Sequence, residues 1–215
     1  MASESAAAVL ASAAYTGCIC GTSPCSRCTL ITDQSTGTEV VYAASDAAYA
    51  ALDVVFRGTD QWREWVFNCR NALVPCPWMD GKIHQGFLQK YASVRTDLLT
   101  LARGHGGALR VAGHSVGGAI ACLFASELIA TGGRVDMVTT LGAPKPGDAA
   151  FAESLRGRCR RVASPLDPVT RFPLRCGYRP CGDLRAVFFA GHSADQYTRA
   201  VSSSRKGTRR TTRAR

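Results

Sequence analysis

Apolar runs of strand length alternate with helical stretches through the second half of the chain. Residues 108–112 form a short apolar run, and residues 115–131 read as a helix stopped by Gly132 and Gly133. A strand over 135–141 follows, then a helix over 148–155 with Asp148 placed to cap it, then a strand over 159–163. Residues 183–190 contain a further strand, and 193–201 a last helix. Upstream, 39–44 and 52–57 read as strands, the second a buried run broken by Gly58 and Thr59. Residues 5–15 are Ala-rich and predict a helix, and 85–102 a long helix that ends near Gly104. In 60–69, Trp62, Trp65, Val66 and Cys69 fall at i, i+3, i+4 and i+7, one face of a helix. Residues 16–28 and 71–83 carry the Gly, Ser and Pro of connections. Strands alternating with helices predict an α/β fold with a mostly parallel central sheet flanked by helices. No internal repeat is present.

Length and composition narrow this to a single domain, 1–201, with a basic tail over 202–215 that lacks apolar periodicity and is expected to be disordered. The 215 residues suffice to bury a core without a metal or a disulfide. No uncharged apolar run approaches the roughly 18 residues of a membrane span. The formal net charge of +10 is unevenly placed: 1–155 carry −2, 156–201 carry +6 and the last 14 residues +6. A uniformly basic nucleic-acid-binding domain would not divide this way. The tail suits an anionic membrane or nucleic acid, or serves only to keep the protein in solution. Arg156, Arg158, Arg160, Arg161, Arg171, Arg175, Arg179 and Arg185 flank one loop around Asp167 and are expected to ring the mouth of the site and favour anionic interfaces or phospholipid head groups. The first 26 residues carry one charge, Glu4, and lack the positive start of an export signal, so an intracellular place is favoured over a secreted one.

The strongest chemical signal is Gly113-His114-Ser115-Val116-Gly117, directly after an apolar strand and directly before a helix. A serine lifted clear of the sheet on so tight a turn leaves no room for side chains two residues before and after it. The helix that follows aims its first N–H groups at developing negative charge. Ser115 is therefore the candidate nucleophile, and it needs a base. Of four histidines, His114 sits inside the turn, pointing off its tip, His84 precedes a long helix as a cap or packing residue, and His105 lies in a Gly-flanked surface turn. His192 follows the last strand, at the C-terminal edge where open α/β sheets bind ligands. The acid must lie between the two. Glu127 and Glu153 are within helices, Asp136 starts a strand and Asp148 caps a helix. Asp167 stands between two prolines just past a strand, ahead of Asp183. Oxyanion donors are expected from the backbone of Val116 and from Thr59 after the strand ending Phe56-Arg57-Gly58.

Taken together, Phe56-Arg57-Gly58-Thr59, His84-Gln85-Gly86-Phe87, the Ser115 turn, Leu141-Gly142-Ala143-Pro144, Asp167-Pro168 and His192 resemble, in order, the fungal-type (class 3) lipases. The resemblance spans residues 5–201. It implies an α/β-hydrolase fold and hydrolysis of carboxylic esters, most often acylglycerols, by Ser115, Asp167 and His192 with Thr59 and Val116 at the oxyanion. Phospholipase A1 and soluble carboxylesterase stand as alternatives on the same fold, and a non-catalytic lipid- or nucleic-acid-associated protein as the alternative of another class. The family's lid corresponds to 60–69, so Trp62, Trp65 and Val66 either cover the cleft or hold a fixed helix on the body. Asn68 stands where some members carry an acid, and it accepts a hydrogen bond without a charge. No cofactor and no metal is implied, and no obligatory protein partner. Cys18, Cys20, Cys25 and Cys28 lack two separated C-x-x-C pairs, which favours disulfides or thiols over zinc. Cys176 and Cys181 are spaced to close a small loop, and Cys122 is expected to act as a buried small hydrophobe.

Overall fold

The runs that are apolar on both faces become the middle of one sheet. A computed structural model describes residues 7–8, 11–12, 25–45, 51–59, 72–105 and 107–210. Seven strands share the sheet: β1 (Cys25–Asp33), β2 (Thr38–Ser45), β3 (Ala51–Phe56), β6 (Ala108–His114), β7 (Met137–Leu141), β8 (Cys159–Ala163) and β9 (Asp183–Ala186). They lie in the order β1-β2-β3-β6-β7-β8-β9. The β1–β2 and β2–β3 pairs are antiparallel, and every pair from β3 to β9 is parallel. Parallel neighbours need crossovers, and helices supply them. The described helices are α1 (Gln85–Gly104), α2 (Val116–Ala130), α3 (Ala149–Glu153) and α4 (Ala194–Arg210), with a 3-10 turn at Pro168–Arg171. Helices line both faces of the sheet, as expected of an α/β-hydrolase fold.

Alternation along the strands divides the core. Leu52, Val54, Phe56, Leu109, Val111, Val138 and Cys159 face α1 and α2, while Val55, Ala112, Leu141 and Val162 face α4. The helical residues Ala8 and Ala11 pack with the second group, beside Tyr197 and Val201. Helix α2 carries apolar residues all round, and 13 of its residues are buried, so it serves as the central helix against the sheet. Its Phe124 ring lies 5.8 Å from that of Phe56, tying the helix to β3. Such a ring contributes roughly 1.5–3 kcal/mol through burial.

Among the described residues, strand and helix bounds follow the sequence reading to within a few residues, with three differences. Residues 25–28, read as loop, open β1 on the sheet edge, and strand pairing overrides their turn-rich composition. Residues 71–83, read as a bare connection, hold the ribbon β4 (Leu73–Pro75) and β5 (Lys82–His84), closed by Cys76 N–H donating to Gly81 O at 2.9 Å. Strands of three residues are too short to show a period. The last helix runs on to Arg210, so 202–210 continue α4 where a disordered tail is expected. Asp148 does cap α3, accepting from Phe151 N–H at 2.9 Å. The proposed lid with Trp62, Trp65, Val66 and Asn68 lies outside the described residues. Among those described, no helix is long and apolar enough to cross a membrane.

Candidate active site

The β6–α2 turn is built by absent side chains. Ser115 holds φ 57° and ψ −132°, the one non-glycine with positive φ among the described residues. Such a conformation costs an L residue about 1–3 kcal/mol, and its surroundings hold it there. A Cβ on Gly113 would lie 2.4 Å from Gly117 O, and one on Gly117 2.4 Å from Phe56 O and 2.5 Å from Arg57 O. Both collisions are with backbone, so only glycine fits. Ser115 N–H donates to Leu141 O at 2.9 Å, which pins the turn to β7. The Gly117 contacts also press the first turn of α2 against the end of β3. Thr59 leaves that end half-buried, and Val116, as the first residue of α2, has no carbonyl four residues back to receive its N–H.

His192 and Asp167 reach this turn from the C-terminal edges of β9 and β8. His192 Nε2 lies 2.7 Å from Ser115 Oγ, and Nδ1 2.7 Å from Asp167 Oδ2. A carboxylate can only accept, which places the imidazole proton on Nδ1 and leaves Nε2 to accept from the serine. Ser115 and Asp167 are fully buried, and the His192 side chain is 5% exposed. Asp167 also caps the 3-10 turn, Oδ1 accepting Val169 N–H at 3.0 Å. The prolines on either side fix the loop, as read from the sequence. Asp183 lies at the start of β9, the opposite edge of the sheet from this site.

Three supports of this acid were not read from the sequence. Tyr197 OH donates to Asp167 Oδ2 at 2.7 Å and accepts from Ser164 N–H at 3.2 Å. Burial, and then the Asp167 charge, raise the Tyr197 hydroxyl well above the ordinary phenol range, so it stays a donor. Gly142, at φ 59°, leaves the space: a Cβ there would lie 2.6 Å from the Tyr197 ring and 3.0 Å from Asp167 Oδ2. Ser164 Oγ donates to Phe189 O at 2.7 Å, joining the Asp167 loop to the segment that leads to His192. A buried tyrosine hydroxyl needs a partner, and that was the only available signal for Tyr197.

The remaining histidines divide as their surroundings dictate. His114 does not point off the turn; it is buried with its ring 4.8 Å from that of His192. Burial, and then the nearby His192, push its pKa down to about 3, so it packs as a neutral ring. His84 is the N-cap of α1, as expected, Nδ1 accepting from Gly86 and Phe87 N–H at 3.1 and 3.3 Å. Its burial lowers its pKa to about 4. His105 is the half-buried C-cap of α1.

Only part of the arginine set lies at the Asp167 loop. Arg156 and Arg158 precede β8 and Arg160 is its second residue, so they lie towards the entry edge, up to a strand length of roughly 15 Å from the Asp167 end. Parallel strands carry neighbours in sequence to opposite edges. Arg185 donates to Val201 O at 3.4 Å, on the α4 side. Arg171 stays at the loop, held by Pro165 O at 2.8 Å.

The cysteines also depart from their spacing. Cys176 is exposed, whereas Cys181 is buried beside Cys122 and Cys159, so the 176–181 loop is not closed by a bridge. Cys122 is buried in α2 behind the Ser115 turn, as expected. Side chains of Cys18, Cys20, Cys25 and Cys28 lie outside the described residues. Among the described side chains, no three His, Cys, Asp or Glu are grouped to hold a metal ion.

Comparison with known proteins bears on the family and the fold. The family described as Lipase (class 3) matches residues 53–176. Secreted mono- and diacylglycerol lipase A of Penicillium cyclopium is 30% identical over 190 residues, 79% of this chain and 62% of that protein. Phospholipase A1 EG1 of Oryza sativa subsp. indica is 33% identical over 153 residues, 56% of this chain and 35% of that protein. The chain thus spans between 35% and 62% of the length of these relatives. Among solved structures, lipase II from Rhizopus niveus superposes with a TM-score of 0.75 at 24% identity, over 89% of this chain and 81% of that one. Rhizomucor miehei triacylglyceride lipase gives 0.74 at 24% identity, over 86% and 79%. These likenesses show the α/β-hydrolase fold. The Penicillium relative is named as secreted, which lends no support to the intracellular place read from the N-terminus. Nothing in these relatives supports a contact of the tail with nucleic acid or membrane.

Proposed function

The chain belongs to the class 3 lipase family, and on that premise we propose that it is a serine ester hydrolase releasing fatty acid from acylglycerols. One observation carries the reading: an unbroken hydrogen-bond chain from Ser115 through His192 to Asp167, both links 2.7 Å. Nε2 takes the Ser115 proton as Oγ bonds the ester carbonyl carbon, and the carbonyl electron pair moves to oxygen. The Val116 N–H at the start of α2 and Thr59 beyond β3 hold that oxyanion; one such donor is worth about 3–4 kcal/mol of barrier. The imidazolium then protonates the departing alcohol as the C–O bond breaks, leaving an acyl-serine. Water repeats the sequence and frees the acid. Asp167, fixed by Tyr197 and Val169, fixes the imidazole orientation throughout.

A fluorophosphonate probe tests the nucleophile. Labelling confined to Ser115 and lost in Ser115→Ala and His192→Ala supports the reading. Folded protein that does not label at Ser115 would leave only a binding role. A chain-length series of p-nitrophenyl esters, run beside acylglycerol and phospholipid emulsions, reads the substrate class. Phospholipase A1 activity is the second reading, favoured by the identity to the Oryza enzyme.

A further inference from the structure

Behind the Asp167 loop, two cations reach one short stretch of backbone and a third stands beside them. Lys145, just beyond β7, donates its N–H to Phe172 O at 2.7 Å and its Nζ to Pro173 O at 3.2 Å. Arg161, on the α2 face of β8, donates Nη2 to Thr170 O at 3.1 Å, in the same loop. Arg179 is drawn alongside by a bridge to Gly147, two residues from Lys145, its N–H donating to Gly147 O at 2.8 Å. None of the three has a carboxylate within ion-pair distance among the described residues. Asp167 is the carboxylate that acts on Arg161, and its oxygens already take His192, Tyr197 and Val169. Arg161 Nε is enclosed and meets no acceptor among the described residues. Burial, then Arg179 and Arg161, hold Lys145 below the ordinary lysine range, so these charges stand close enough to repel.

Clustered cations without a counter-charge are an unstable arrangement that an anion relieves. An ammonium offers three donors and a guanidinium five, and the contacts above use only part of them. Lys145 is half-buried and Arg179 exposed, so the cluster is reachable from solvent. We propose that Lys145, Arg161 and Arg179 form a binding site for a phosphate-class anion, outside the hydrogen-bond chain of Ser115, His192 and Asp167. Several donors from different elements, converging on a tetrahedral oxyanion, make charge-assisted bonds stronger than neutral ones. The ligand is either free phosphate or the phosphate of a lipid head group.

Titration calorimetry with inorganic phosphate at constant ionic strength tests this directly. The doubly substituted Lys145→Gln/Arg179→Gln protein should bind roughly tenfold more weakly or worse. Arg156→Gln/Arg158→Gln removes the same net charge at the opposite edge of the sheet and should bind as the parent does. Sedimentation of the Ser115→Ala protein with phosphatidate–phosphatidylcholine vesicles, against phosphatidylcholine alone, separates the sources. Capture by phosphatidate that fails in the Lys145/Arg179 variant identifies a lipid head group; phosphate binding without capture identifies a soluble anion. Absence of both, or equal loss in both double variants, overturns the site. Every readout is binding, so a protein without hydrolase activity would leave the result intact.

Discussion

Replacing Tyr197 by phenylalanine removes one oxygen from a fully buried position and should lower both stability and turnover, by different amounts. That oxygen donates to Asp167 Oδ2 at 2.7 Å and accepts Ser164 N–H at 3.2 Å. A hydrogen bond to a charged group is worth about 1.5–3 kcal/mol, and the stranded amide costs about 1–3 kcal/mol more. Sparing the hydroxyl its own desolvation offsets part of this, so the expected loss is about 3 kcal/mol. For a domain of this size, that is a fall in Tm of about 6–12 °C. Catalysis is affected less. Asp167 retains Val169 N–H at 3.0 Å and His192 at 2.7 Å, so the imidazole keeps its tautomer and loses only part of its orientation. We expect kcat to fall roughly 3- to 30-fold with KM unchanged, against about 10⁴-fold for Asp167→Asn, which fixes the wrong tautomer.

The assay is steady-state hydrolysis of a soluble p-nitrophenyl ester alongside urea and thermal melts, all on the same preparations. A purely structural tyrosine would lower Tm and leave kcat of the folded protein untouched, and that result would refute the positioning role. A Tm equal to the parent's would refute the buried hydrogen-bond argument itself. If kcat instead fell as far as in Asp167→Asn, the acid would be held by Tyr197 alone, contrary to the Val169 contact.

Other positions give sharper or simpler outcomes. Gly117→Ala sets a Cβ against two backbone oxygens at 2.4 and 2.5 Å, and should cost more than about 4 kcal/mol or prevent folding, read as soluble yield and urea midpoint. Gly104→Ala meets nothing within 4 Å at the end of α1 and should stabilise by up to about 0.5 kcal/mol in the same assay. His84 has a folded pKa lowered from 6.5 to about 4, so its neutral form adds stability that is fully present above pH 6.5 and lost as pH falls towards 4. The loss is about 3 kcal/mol, and His84→Asn, which keeps an acceptor for the cap, should remove about half of the fall in urea midpoint between pH 7 and 4.5, buried His114 supplying the rest. Glu127 is buried under Tyr91 OH at 2.7 Å and Arg95 Nε at 2.9 Å; Glu127→Leu should cost about 3 kcal/mol, and adding Tyr91→Phe should recover about 1 kcal/mol of it.

The Ser115 turn was legible because its signal is local. An apolar run, two glycines and a helix start within ten residues, and the clashes that demand glycine come from the next strand and the turn itself. Elimination singled out His192 and Asp167, the pair the fold brings to Ser115, since only four histidines exist and strand direction disqualifies acids at entry edges. What holds Asp167 was not legible. Tyr197 and Gly142 are 30 and 25 residues away and act by packing, which no spacing encodes. The arginines failed for the converse reason. Eight of them crowd the sequence around Asp167, yet one strand of β8 separates Arg158 and Arg160 from the loop their positions suggested.

The basic excess of 156–201 therefore divides by strand polarity rather than encircling a mouth. Arg161 shows why one part of it belongs near the acid. A fully buried carboxylate is costly unless opposite charge and donors surround it. Asp167 takes three hydrogen bonds and lies in the field of the Arg161 guanidinium, which is itself tied to Thr170 O on the far side of the same loop. Arg161 thus interacts electrostatically with both the acid and Lys145. An anion held by those three cations would offset part of the positive field that Asp167 now feels. Occupancy of the cation cluster and the electrostatics of the hydrogen-bond chain are then coupled through a single side chain.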